Sequence, residues 1–344
     1  MGIRTLFSRS RGTARLSIAP SRESNDFLHV VASRFEIGVF NEQWLEYRWQ
    51  LFETLALPSI DAQSARDFIW VLGIDRDMPR RFRERLDGLV AERPYLRLLE
   101  LELFDDFEPR FQRWCAEASK GFAHVLTTRI DNDDAIHREL LAEVQRTGRG
   151  LLAGGSALPA AITAATGYQW VPATGQGFRA YHYSHSIGTS VLESSDALTT
   201  VYGKNHRKVP DWAVERNGSV EQIGGDTRWW LYATTATSLV LLRTGKGLRE
   251  GTVANPGAHE IDEKALRSFG VTDARRLRGL EEPELAGNHL ELVQEGKQTD
   301  RAIKGVRATM RQARASGEPA DPALVAEHRE LHARRKELAR AWVS

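Results

Sequence analysis

Three carboxylates, Asp131, Asp133 and Asp134, crowd into four residues of the stretch HVLTTRIDNDDAIHRELLAEVQ (124–145). Charges that close repel one another unless something compensates them, so the first question is what does. A helix N-terminus is one answer: Asp134 caps a helix starting at Ala135 and Asp133 complements its dipole, together worth about 1 kcal/mol. One aspartate suffices for that, and Asp131 lies too far upstream to share it. A calcium loop of EF-hand type needs Gly at its sixth position and Glu at its twelfth. Ile136 and Ala142 stand there, which excludes it. The third answer is a divalent ion. Residues two apart in an extended segment point the same way, so Asp131 and Asp133 form a D-x-D pair that can address one Mg²⁺ or Mn²⁺. Such hard cations bind through one or two carboxylates plus substrate phosphate oxygens, here the two phosphates of a nucleotide.

The elements that must position this cluster follow from hydrophobic periodicity. FLHVVASRF (27–35), DFIWVLGID (67–75), YLRLLELELF (95–104) and FAHVLTTRI (122–130) read as buried strands. Between them lie helical patterns: one capped by Asn41, carrying Trp44, Tyr47, Leu51 and Leu55 and ending at Pro58; one opened by Pro79; and one in EPRFQRWCAEASK. This alternation predicts an α/β fold built on a mostly parallel sheet with crossover helices. Ligands of such sheets bind beyond the carboxyl ends of the strands, where Asp75 and the acidic cluster both fall. From about 150 to 245, aromatic and Val residues punctuated by Gly and Pro predict a hairpin or irregular antiparallel region. Beyond about 258 the chain is charged and helical, with two amphipathic helices split by SGEPADP that suit packing or homo-oligomer formation.

Composition narrows the classes further. With 47 Lys and Arg against 46 Asp and Glu, no global field selects nucleic acid as a partner. The single cysteine, Cys115, excludes an intrachain disulfide framework and cysteine-based zinc, fits a reducing cytoplasm, and is expected half-buried on its helix. LLAGGSALPAAITAATGY (151–168) is too rich in small residues, and broken by Pro159, to span a membrane. The basic N-terminus (1–25) lacks a signal-peptide core and reads as a flexible tail, or as a weak peripheral contact with the inner face of an anionic membrane.

LPSIDAQSARDFIWVLGID, LTTRIDNDDAIH, TTVYGKNHRKVP and RWWLYATT together resemble the rhamnosyltransferase family of bacteria, nucleotide-sugar glycosyltransferases of the GT-A fold. The resemblance covers roughly 27–270. It implies a GT-A domain over 26–257, with a nucleotide half (26–134) and an acceptor half (135–257), followed by a helical extension (258–344). It further implies a nucleoside-diphosphate sugar donor and a glycan or glycolipid acceptor. On the matching positions, Asp75 would bond the base or ribose, and Ser33, Arg34 and Phe35 would flank the nucleotide. Asp133 would be the main metal ligand, Asp131 would touch ribose or the donor sugar, and Asp134 would be a second ligand or the helix cap. Arg129 suits diphosphate or an aspartate of the cluster. His206 is a further metal ligand or diphosphate contact, or an exposed loop histidine, beside the basic Lys204, Arg207 and Lys208. Glu193 and Asp226 are the candidate bases for an inverting transfer, Glu193 ahead of Asp226. Trp229 and Trp230 either stack on an acceptor sugar or belong to the core. Two other classes compete with transfer: a phosphotransferase with Asp131 as nucleophile, and a non-catalytic glycan-binding scaffold with a degenerate site.

Overall fold

The computed structural model describes residues 26–235, 257–317, 319 and 321–343. The N-terminal segment read as a basic tail, and residues 236–242 of the expected strand RWWLYATTATSLVLL, lie outside the described residues. The first strand, β1 (Phe27–Phe35), is buried almost throughout, as a strand covered by helices on both faces must be. Helix α1 (Glu42–Leu51) starts where expected: the Asn41 side chain accepts the Trp44 N–H at 2.9 Å. Pro58 does not end it. The helix passes through a π segment (Phe52–Ala56), where the Leu57 N–H bonds to the Phe52 carbonyl, into α2 (Leu57–Asp61). Pro58 thus falls in a first turn, where its missing N–H costs least.

Then come β2 (Ile69–Asp75), α3 (Arg80–Glu92), β3 (Leu96–Leu101), α4 (Phe107–Ala118) and β4 (His124–Arg129). The chain continues through β5 (Ala135–Ile136), α5 (Leu140–Ala153), β6 (Ala160–Ala164), β7 (Thr166–Val171), β8 (Gln176–Tyr181) and β9 (Ser190–Ser194). It closes with α6 (Val209–Glu215), β10 (Ser219–Ile223), β11 (Trp230–Ala233), β12 (His259–Glu260), α7 (Glu263–Ser268), α8 (His289–Ala315) and α9 (Pro322–Arg340). The main sheet has the order β10-β6-β9-β4-β1-β2-β3. Its β4-β1-β2-β3 half is parallel, and β9 runs antiparallel to both neighbours. This is the expected mostly parallel α/β architecture. The pairs Ala32↔Arg129 and Phe35↔Ile74 bring the carboxyl ends of β1, β2 and β4 together at one edge.

The expected antiparallel region is the β7–β8 hairpin, part of a second sheet ordered β12-β8-β7-β11-β5. The helix expected at Ala135 begins only at Leu140, because Ala135 and Ile136 pair with Leu231 and Trp230. Residues 259–277 do not belong to the helical extension either. Ile261, Leu266, Phe269, Val271 and Leu277 share a core with Tyr47, Leu55 and Trp170. Helices α8 and α9 turn apolar residues onto their own chain: Val293 and Ala339, with Trp342 and Val343 just after α9, join the main core with Phe40 and Trp44. Cys115 is fully rather than half buried. No helix among the described residues is long and apolar enough to cross a membrane.

Within the second sheet β7 and β11 pair tightly at Gly167, where an added Cβ would lie 2.1 Å from the Trp230 ring and 2.4 Å from its carbonyl oxygen. Gly167→Ala should therefore cost about 1–3 kcal/mol in urea unfolding. Gly88→Ala, with open space around it in exposed α3, should instead stabilise by about 0.5–1 kcal/mol.

Candidate active site

The acidic segment is held from below by a buried arginine. Arg48, on the buried face of α1, donates from Nε to Glu36 (2.8 Å), from Nη1 to Asp133 (2.8 Å) and from Nη2 to Asn132 Oδ1 (3.2 Å). Asn132 returns a hydrogen bond to Glu36 at 3.1 Å, and Trp44 Nε1 donates to the other Glu36 oxygen at 3.0 Å. Glu36 sits just past β1 with φ of 44°, a left-handed conformation that costs a non-glycine residue about 1–3 kcal/mol. That turn is what aims its carboxylate at Arg48. Burial opposes the Arg48 charge, but Asp133 and Glu36 outweigh it and raise its pKa further.

The three aspartates are held differently. Asp134 is buried and accepts the Ala233 N–H at 2.8 Å through Oδ1, while Oδ2 is buried without a partner. It is not a helix cap. Burial, then the charges of Asp133 and Asp131, hold its carboxyl well above the usual range. Asp133 is also raised by burial, against the pull of Arg48. Asp131 has the more exposed side chain, 28 % against 13 % for Asp133. Burial acts on it too, but Arg129, Arg34 and a Ser186 hydrogen bond prevail and hold it below the usual range. Asp131 is thus the ionised carboxylate facing outward, and Asp134 the one inside that favours its proton.

The cations beside Asp131 are mounted on aromatic rings. Arg129 lies 3.3 Å from Asp131 and 4.9 Å over the Tyr202 ring, and Arg34 lies 5.3 Å over the same ring and 4.2 Å over Phe104. Tyr202 is anchored by its hydroxyl on the Ala32 carbonyl at 3.1 Å. His206 faces this group; burial, then Arg129, lowers its pKa to about 4. His185 stacks on Trp230 at 4.6 Å and is lowered to about 3 by burial and His182. Lys204, Arg207 and Lys208 are exposed charges.

Several expected site residues lie elsewhere. Ser33 and Phe35, expected to flank the nucleotide, point into the core from β1. Ser33 accepts Trp70 Nε1 at 3.0 Å, and Phe35 packs on Phe52 at 5.0 Å and Trp49 at 5.8 Å. Strand alternation sends only Arg34 of the three towards the cluster. Glu193 pairs across from Val125, near the opposite end of β4, and accepts the Thr199 and Thr200 N–H groups at 2.8 Å each. That carboxylate closes a loop and is not the base. Trp229 and Trp230 are core residues, Trp230 donating to the Ala164 carbonyl at 2.9 Å. Asp226 stays exposed on the loop before β11. Asp75 is at the expected edge, but its oxygens already accept Gly38 N–H (3.1 Å), Asp77 N–H (2.9 Å) and Arg335 Nη2 (2.8 Å).

Sequence reasoning missed Glu36, Arg48, Asn132 and the His182/His185 pair. Arg48 had a signal, since it stands four residues after Trp44 and three before Leu51, within the apolar stripe. As a test of fit, the cluster offers only carboxylate oxygens, one of them buried and orphaned, with two carboxyls raised by burial and then by their charged neighbours. That donor set suits a hard divalent cation. His206 does not join it: among the described residues, the one group of three such side chains with ligand atoms within 4.8 Å of one another is Glu102, His328 and His332.

A model of the family described as "Putative rhamnosyl transferase" matches residues 15–215. No curated protein matches. Among solved structures, S. aureus TarS is 12 % identical over 63 % of this chain and 38 % of its own, with a TM-score of 0.36, so this chain spans well under half of it. TarS 1–349 in complex with UDP-GlcNAc is 11 % identical over 92 % and 91 %, with a TM-score of 0.37. A putative nucleotide-diphospho-sugar transferase from Desulfovibrio desulfuricans G20 is 10 % identical over 74 % and 98 %, also at 0.37.

Arg48→Met strands Glu36 and Asp133 as buried charges, and urea unfolding should report a loss of about 3–5 kcal/mol, partly recovered by adding Glu36→Gln. The His206 pKa is depressed, so between pH 6.5 and about 4 the unfolded chain takes up a proton there that the native one refuses. Its contribution to stability therefore falls as pH falls through that window. The stability difference between wild type and His206→Gln, followed by unfolding from pH 7 to 4, should shift steadily in favour of the variant.

Proposed function

Because this chain belongs to the putative rhamnosyl transferase family, we propose that it is a nucleotide-sugar glycosyltransferase that moves a sugar, rhamnose by family, to a hydroxyl of a glycan or glycolipid. The observation that carries this reading is the division of charge around Asp131: an ionised carboxylate facing outward beside two ring-mounted arginines, with raised carboxyls behind it. Asp131 accepts hydroxyl hydrogen bonds from the ribose or donor sugar. Arg34 and Arg129 face the diphosphate as negative charge builds on it. Asp133, through the oxygen that Arg48 does not take, and Asp134, through its orphaned Oδ2, would hold Mg²⁺ or Mn²⁺. When bound, that ion neutralises the leaving diphosphate.

In the inverting reaction we infer, the acceptor oxygen bonds to the anomeric carbon as the bond from that carbon to the diphosphate oxygen breaks. The acceptor proton passes to a carboxylate, for which Asp226, on its exposed loop, replaces Glu193. Tyr202 keeps both arginines on the leaving-group side. Asp75 would bond the base only after giving up Arg335.

A thermal-shift screen of UDP-, GDP- and dTDP-sugars with and without Mn²⁺ identifies the donor. One of them should raise Tm with Mn²⁺ present, and Asp133→Ala should remove both that shift and measurable transfer while its circular dichroism stays unchanged. Donor binding unaltered in Asp133→Ala would contradict the reading.

A further inference from the structure

A second cluster of metal-ligating side chains stands apart from the acidic segment. Glu102 follows β3, which lies three strand spacings from β4 across the sheet, roughly 14 Å at about 4.8 Å each. His328 and His332 are four apart on α9 and so share one helix face. The ligand atoms of the three lie within 4.8 Å of one another. The two rings are 4.6 Å apart at 63°, and His328 Nε2 is 4.0 Å from Glu102 Oε2. His332 is 6 % exposed, yet neither of its ring nitrogens has a hydrogen-bond partner, and His328 Nε2 is buried and unpartnered too. A folded interior seldom leaves both nitrogens of one imidazole unsatisfied, since each costs about 1–3 kcal/mol.

We propose that Glu102, His328 and His332 bind a divalent transition metal of the zinc type, which staples the C-terminal helix pair to the edge of the main sheet. Two imidazoles and a carboxylate suit zinc, with bonds of about 2.0–2.2 Å that need a small contraction of the cluster.

The surrounding cations do not forbid an ion. Arg76 and Arg307 both reach Glu102, but Arg76 also faces Asp77 (3.9 Å) and Arg307 faces Asp106 (2.7 Å). Arg335 is paired with Asp75 (2.8 Å) and Lys336 with Asp77 (3.0 Å). The metal's consequence runs along α9. Arg335, three residues after His332, is the group that fills Asp75, so the staple also holds that arginine at the nucleotide edge.

The test uses the full, tag-free chain, stripped with EDTA and kept in excess Mg²⁺ to occupy sites built of carboxylates. Zn²⁺ titration by calorimetry should give one equivalent per chain, and Co²⁺ should develop visible ligand-field absorption. His328→Ala and Glu102→Gln, both at partly exposed positions, should weaken Zn²⁺ by roughly 100-fold or more, beyond the 10–100-fold cost of outer-shell changes, and should lose the Co²⁺ bands. Asp133→Ala should retain both. Equal Zn²⁺ affinity in wild type and His328→Ala, or a wild type that takes up neither metal, would overturn the proposal; circular dichroism of each variant verifies folding.

Discussion

One buried guanidinium organises the candidate site. Arg48 lies between Glu36, at the end of β1, and Asp133, beyond β4, and ties the exits of two neighbouring parallel strands into one hydrogen-bonded unit with Asn132. Three carboxylates in four residues would otherwise drive the segment apart. With the arginine beneath them, repulsion becomes a graded set: Asp131 ionised and outward, Asp133 paired, Asp134 inward and inclined to keep its proton. Removing one member of a buried charged unit costs more than the unit itself contributes, which is why the helix stripe accommodates an arginine there.

The rest of the architecture serves that arrangement. The left-handed turn at Glu36 is tolerated because its carboxylate meets three donors. Tyr202, carried in after β9, supports Arg34 from β1 and Arg129 from β4 on one ring. The second sheet closes the far side, since Ala233 at the end of β11 donates to Asp134 and sets how deep the segment sits. The C-terminal helices close the near edge through Arg335 and Asp75.

Much of the sheet was legible because buried parallel strands read as short apolar runs and their crossover helices as 3.6-residue patterns. The acidic segment was legible as a site because its charge density has no local remedy. What escaped depends on contacts distant in sequence. Asp134 Oδ1 accepts the N–H of Ala233, 99 residues away, and Ala135 and Ile136 pair with β11, so the local helix-cap rule misplaces the start of α5. Asp75 meets Arg335 across 260 residues. The resemblance sets Ser33, Arg34 and Phe35 together at the nucleotide, whereas period-two alternation along β1 separates them. Glu193 was chosen by type and order along the chain, and only the register Val125↔Glu193 places it near the wrong end of β4.

In the proposed enzyme a divalent ion and the diphosphate of a nucleotide together complete this graded cluster. Electron paramagnetic resonance of Mn²⁺, titrated with the zinc-loaded protein and the nucleoside diphosphate of the donor, tests it most directly. The free Mn²⁺ signal should fall strongly only when protein and nucleotide are both present, and Asp133→Ala should restore it towards the level of nucleotide alone. A nucleotide that binds the protein without changing the Mn²⁺ signal would contradict it.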